Sequence, residues 1–172
     1  GSFTGLRIAM AAAKGLAITH TIPLIGISCF EAVAQRVNQP DRLSPYDLLL
    51  IALNSKREDL YIECRDSLNK KVIPGGAVNS NVFFVKLKKL IDRHTSIRVI
   101  GDGGAQLLEN APVDIYDNFL PVNEKDKEPL DATDVAHCAY NEASNSKTNI
   151  QKNTPSLTID YLHSPDFTLS KN

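Results

Sequence analysis

The sequence predicts an α/β fold, and three features predict it. The run Asp47 to Leu53 and the alternating run Leu60 to Arg65 flank polar residues 54–59, the pattern of two strands joined by a hairpin. Apolar residues fall at helical spacing in Leu6–His20 and again in Val82–Arg93. A β-branched run, Ile97–Ile100, leads directly into Gly101-Asp102-Gly103-Gly104, a strand-to-helix turn.

In chain order, Ser2 or Thr4 can cap the first helix, whose Ile8, Ala9, Ala12, Ala13, Leu16 and Ala17 form a broad face. So many small residues let another backbone approach closely, and part of that face needs a partner. Thr21 to Ser28, with Pro23 near its start, reads as a brief edge strand. Ser28-Cys29-Phe30-Glu31 matches a capping box and starts a helix from Cys29 to about Val37, ended by Asn38, Pro40 and Asp41. A third strand is expected around Val72 and Ile73. Asn79 or Ser80 caps Val82–Arg93, whose Phe83, Phe84, Leu87, Leu90 and Ile91 face one way. After the glycine turn come a short helix, Ala105–Glu109, a strand at Val113–Tyr116 and a charged loop, Asn123–Glu128. Asp131 or Thr133 begins a last helix ending near Ala143. Asn141–Ser156, rich in Asn, Ser, Lys and Thr, reads as a linker, and Leu157, Ile159, Tyr161 and Leu162 alternate as a tail that returns to a sheet.

At 172 residues and 42% hydrophobic, the chain can form one domain or two small lobes with real cores. No apolar run reaches 18 residues, and Arg7, Lys14 and Gly15 interrupt the Ala-rich opening, so neither a membrane span nor a signal peptide is predicted. Gly1-Ser2 could be a cloning scar but runs into Phe3-Thr4-Gly5 as one unit and is read as native. With 19 basic and 20 acidic residues, the net charge of -1 gives no global attraction to phosphate backbones. Lys86, Lys88, Lys89 and Arg93 form a local patch that fits either RNA or a solvated helix face. Cys29, Cys64 and Cys138 lie far apart, which suits buried thiols in a reducing, cytoplasmic setting.

Sites for catalysis are not evident. His20, His94, His137 and His163 have no HxxxH or HExxH spacing, so no metal or other cofactor is predicted. His137 and Cys138 are adjacent on a helix and point in different directions, a poor nucleophilic pair. No G-x-S-x-G elbow surrounds Ser2 or any other serine. Gly101, Asp102, Gly103 and Gly104 could cradle a nucleotide or other anion, and a tight turn needs the same glycines.

Gly1-Ser2-Phe3-Thr4-Gly5-Leu6-Arg7, followed by Ala12-Ala13-Lys14-Gly15-Leu16-Ala17, resembles the signature of the TsaB family. Further matches follow in order: Ile22–Ser28, Ser55–Tyr61, Gly101-Asp102-Gly103 and Tyr161–Asp166. The resemblance implies an actin-like, heat-shock-ATPase-like fold of two lobes with the first incomplete. Residues 1–44 and the tail 157–172 would be its remnant, 45–143 the second lobe and 144–156 a linker. It also implies a non-catalytic scaffold that acts with TsaD and TsaE in threonylcarbamoyl transfer to the adenosine beside the tRNA anticodon. TsaD-like catalysis needs a His-x-x-x-His metal site, which this sequence lacks. The tRNA would be met through the complex, and two copies could pair in isolation. By resemblance the first helix meets TsaD, with Phe3, Thr4, Arg7, Met10, Ala11 and Lys14 as partner residues. The family usually has a strand hairpin and a helix before the position of Gly1, and commonly Arg where His163 stands. A glycoprotease-like peptidase and a stand-alone nucleotide-binding module are the competing readings.

Overall fold

The computed structural model describes residues 3–37, 46–145, 158–159 and 162. Among the described residues five α-helices, α1 (Phe3–His20), α2 (Cys29–Ala34), α3 (Ser80–Leu87), α4 (Gly104–Glu109) and α5 (Ala132–Asn145), accompany four strands. The strands β1 (Leu48–Asn54), β2 (Leu60–Asp66), β3 (Lys71–Val78) and β4 (Ile97–Ile100) form one sheet in the order β3-β2-β1-β4. The predicted hairpin is present: β1 and β2 run antiparallel, with Leu50 opposite Cys64 and Asn54 opposite Leu60. β4 joins β1 in parallel, Leu48 beside Ile97, after the crossover through α3.

The sheet is covered on both faces. Leu48, Leu50, Ala52, Leu60, Ile62, Cys64, Ile97 and Val99 meet Phe83, Phe84 and Leu87 of α3 and Leu107 of α4. On the other face Leu49, Ile51 and Ile100 meet Phe30, Val33, Ala34 and Val37 from α2 and the turn after it. α5 lies against α2. α2 lies on this face because it is there that Phe30 and Val33 are buried. The apolar run of β1 has its explanation here, since a central strand with helices on both sides has no solvent face.

Polar groups fasten these layers. Ser28 accepts from the Glu31 N–H, as the capping pattern predicts, while the Glu31 carboxylate reaches Arg65 instead of closing the box. Arg65 and Glu63, each about 1% exposed, lie on the α2 side of β2. Arg65 donates to Glu63 at 2.6 Å, to Glu31 at 2.8 Å and to Asn69 at 2.8 Å. Arg98 and Asp126, also buried, pair at 3.1 Å. Asp131 caps α5 by accepting from the N–H groups of Thr133 and Asp134, and Asp134 accepts from the Asp131 N–H in return.

Asp134 also receives the guanidinium of Arg36, which donates to the carbonyls of Glu128 and Pro129 as well. This hydrogen bond holds the Asp134 carboxyl below its ordinary value. A depressed carboxylate contributes stability above its unfolded pKa and loses it as pH falls through the folded one. We therefore expect Arg36→Leu to cost about 2–3 kcal/mol at neutral pH. Below about pH 4 the gap to the parent should narrow in urea titrations, as Asp134 protonates in both.

Several expected elements take another form. The helix of α1 starts at Phe3, so Thr4 lies in its first turn, and Ser2 lies outside the described residues. Thr21–Ser28 is not a strand: Thr21, at φ 52°, closes α1 in a Schellman turn. There the Ile22 N–H reaches Ala17 O and the Thr21 N–H reaches Ile18 O. The helix predicted to Arg93 stops at Leu87, because past that point Leu90 is exposed and nothing holds it inward. Val113–Tyr116 lies within a 3-10 helix, Val113–Asn118, that turns only Ile115 and Asn118 inward. Part of the expected loop 123–128 is a 3-10 turn, Glu124–Lys127. α5 continues to Asn145, so the linker cannot begin at Asn141. Asn38, Pro40, Asp41, His163 and most of residues 146–172 lie outside the described residues.

Candidate interaction surface and glycine turn

The first candidate surface is α1. Eighteen residues free of proline and rich in alanine favour helix throughout, and Thr19 returns its hydroxyl to Gly15 O at 2.8 Å. Only one side of it is covered. Ala17 is buried, Met10, Ala13 and Lys14 are half-buried, and these residues share one side of the helix. The opposite side carries Ile8, Ala12 and Leu16 in an i, i+4, i+8 row, with Ile8 64% and Leu16 60% exposed. Ile18, 67% exposed, extends this surface at its flank.

The predicted partner residues divide between the two sides. Thr4 and Ala11 are exposed, whereas Met10 and Lys14 lean toward the protein's own body. Arg7 is exposed and engaged in an interaction of its own, and the side chain of Phe3 lies outside the described residues. Ile8 and Leu16, which carry the open row, belong to the predicted face but not to the predicted partner set. Helical spacing alone could have found the row, since 8, 12 and 16 line up one turn apart.

The second candidate is the glycine turn between β4 and α4. Its N–H groups serve the chain itself: Gly101 donates to Asp126 O at 2.6 Å, Gly103 to Ala52 O at 3.0 Å and Gly104 to Gly101 O at 3.0 Å. Asp102 stays exposed and accepts from the Asn54 N–H at 3.0 Å. Gly101 has φ 99°, and a Cβ there would lie 2.3 Å from Ala52 O. The turn thus has a packing reason for its glycines, as it threads the end of β4 past the end of β1.

His137 is exposed and its neighbour Cys138 buried. Burial, followed by the nearby Glu31 and Glu142 carboxylates, pushes the Cys138 thiol up, opposite to what a nucleophile needs. Cys64 is pushed up further, to about 12, by burial between β1 and β3. Among the described residues no group of three or more His, Cys, Asp or Glu side chains could hold a metal ion. Among them, too, no helix is long and apolar enough to cross a membrane.

A family model described as TsaD, tRNA N6-adenosine threonylcarbamoyltransferase, matches residues 1–90. The chain belongs to this family. Two solved structures share its fold. One is an uncharacterized protein from Pseudomonas aeruginosa with similarity to the peptidase YeaZ, at TM-score 0.61 and 17% identity over 95% of this chain and 69% of that one. The other is YeaZ from Pseudomonas aeruginosa, at TM-score 0.55 and 19% identity over 84% of this chain and 63% of that one. The chain thus spans about two thirds of the length of the structures it matches. These structures have the actin-like fold, so the expected fold class holds. No curated protein matches the chain.

Proposed function

We propose that this chain is a TsaB-like, non-catalytic scaffold that works in the cytoplasm with TsaD and TsaE in threonylcarbamoyl transfer to tRNA, and that α1 seats TsaD. The observation that carries the reading is the outward row of Ile8, Ala12 and Leu16, within the segment that matches the family. A helix apolar on nearly all sides is stable in water when a second surface covers it. Alanine between the two larger residues lets a partner helix approach closely while Ile8 and Leu16 enter its grooves. In the absence of TsaD, the same row pairs two copies of the chain.

The test is a double substitution, Ile8→Asp with Leu16→Asp, in the full chain. Both side chains are already largely in water, so the thermal midpoint should stay within about 2 °C of the parent, since exposed sites rarely shift stability by more than about 0.5 kcal/mol. Affinity for TsaD should fall about 100-fold or more in calorimetry, as two central apolar anchors become charges. Undiminished binding of this variant, or failure of the parent chain to bind TsaD at micromolar concentration, would remove the reading.

A further inference from the structure

We infer that the outward face of α3 and the turn after it form a landing surface for the phosphate backbone of tRNA. The inference rests on membership of a tRNA-modifying family. α3 buries Phe83, Phe84 and Leu87 and turns Val82, Val85 and Lys86 to solvent, with Lys89 and Arg93 exposed beyond its end. Residues 86–93 hold four cations, Lys86, Lys88, Lys89 and Arg93, against the single acid Asp92, in a chain whose net charge is -1. Positive charge is therefore concentrated here and outweighed elsewhere.

What distinguishes these cations is that those without a carboxylate partner lie together, whereas Lys14, Lys56, Lys70 and Lys125, which also have none among the described residues, are scattered along the chain. Arg36, Arg65, Lys71, Arg98 and Lys127 each have a carboxylate partner. In the patch only Lys88 has one, Asp114 at 2.7 Å. Among the described residues Lys86 and Lys89 have no acidic partner, and Arg93 donates only to His94, at 3.0 Å. Asp92 is occupied with its own turn, accepting from the His94 N–H and from Thr95.

The Lys88–Asp114 pair has a second effect. It holds the 3-10 helix Val113–Asn118 beside the end of α3, and Tyr116, 56% exposed, comes with it. Tyr116 meets Phe119 edge-on at 6.5 Å, and Phe119 meets Phe84 of α3 at 6.4 Å, so the exposed ring is braced from below. Unpaired cations with a braced, exposed aromatic at their border suit nucleic acid, in which phosphates take the charges and an unpaired base can stack. An anionic membrane would use the same charges, with Val82, Val85 and Leu90 exposed beside them, and the vesicle arm of the experiment separates the two.

The experiment uses the full chain and an unmodified transcribed tRNA, with anisotropy read between 50 and 200 mM salt, alone and with TsaD. The triple variant Lys86→Gln, Lys89→Gln, Arg93→Gln should bind tRNA about tenfold or more weakly, with the log–log salt slope reduced by about 2 to 3. Its thermal midpoint and its TsaD affinity should match the parent. A control triple, Lys56→Gln, Lys70→Gln, Lys125→Gln, should leave tRNA binding unchanged. Parent-like tRNA binding by the patch variant overturns the inference, as does tighter parent binding to anionic phospholipid vesicles than to tRNA. If the parent fails to bind TsaD, the scaffold reading falls, and the salt slope on tRNA alone still decides the patch.

Discussion

Replacing Arg65 with methionine is expected to lower the free energy of unfolding by about 3–5 kcal/mol, a large fraction of what a domain of this size has. The loss comes from what remains behind. Glu63 is about 1% exposed, and without Arg65 its nearest cation is Lys71 at 3.3 Å, whose side chain is half in water. Glu31 and Asn69 lose their partner as well, so β2 comes apart from both α2 and the turn into β3. The pair itself need not be strongly stabilising, since its attraction has to offset the desolvation of both ions. The double variant Glu63→Leu, Arg65→Met should therefore recover most of the deficit in urea titrations. A double variant no more stable than Arg65→Met alone would show that the damage is lost packing, not an orphaned charge.

Gly101→Ala should cost about 2–5 kcal/mol and lower the thermal midpoint by on the order of 10 °C. Two causes act together. At φ 99° an L side chain is strained whatever the space around it, and here the new methyl would also stand 2.3 Å from Ala52 O. Relief by shifting the backbone would stretch the bond from the Gly101 N–H to Asp126 O, and with it the loop that supplies Asp126 to Arg98. Gly76→Ala, where nothing lies within 4 Å of the added carbon and φ is ordinary, is the control and should change the midpoint by only a few degrees. Equal effects at the two positions would remove the steric argument.

The parts of this fold that the sequence made legible are those with local causes. The β1–β2 hairpin follows from an apolar run, a polar turn and an alternating run, and β4 from its β-branched residues before a glycine turn. The Ser28 cap and the Asn79 cap are visible for the same reason. Elements with distant causes were not legible. In β2 the alternation puts Leu60, Ile62 and Cys64 inward and Glu63 and Arg65 outward, which normally means toward water. Nothing within β2 tells that α2 and α5 cover that second face. Arg98 within Ile97–Ile100 has the same history, and its partner Asp126 is 28 residues away. Thr21–Ser28 has strand composition without a neighbouring strand to pair with, and Val113–Tyr116 alternates equally well as a 3-10 helix that buries Ile115. Of the candidate surfaces, the sequence showed that α1 carries too much apolar area, but which side is spare depends on where Ala17 and Met10 pack.

That division of α1 bears on how the molecule opens. The sheet carries one buried cluster beneath α3 and α4 and another beneath α2, the same strands serve both, and Arg65, Arg36 and Arg98 tie the second side together, so these layers melt as a single cooperative unit. α1 draws little on that set, since Ala17 is its only fully buried residue among those described. Its backbone hydrogen bonds are then protected mainly by the helix itself, and sub-global opening that releases α1 leaves the sheet intact. The first helix is in this sense a separate foldon, whose protection from exchange is set by whatever docks on it more than by the stability of the domain that carries it.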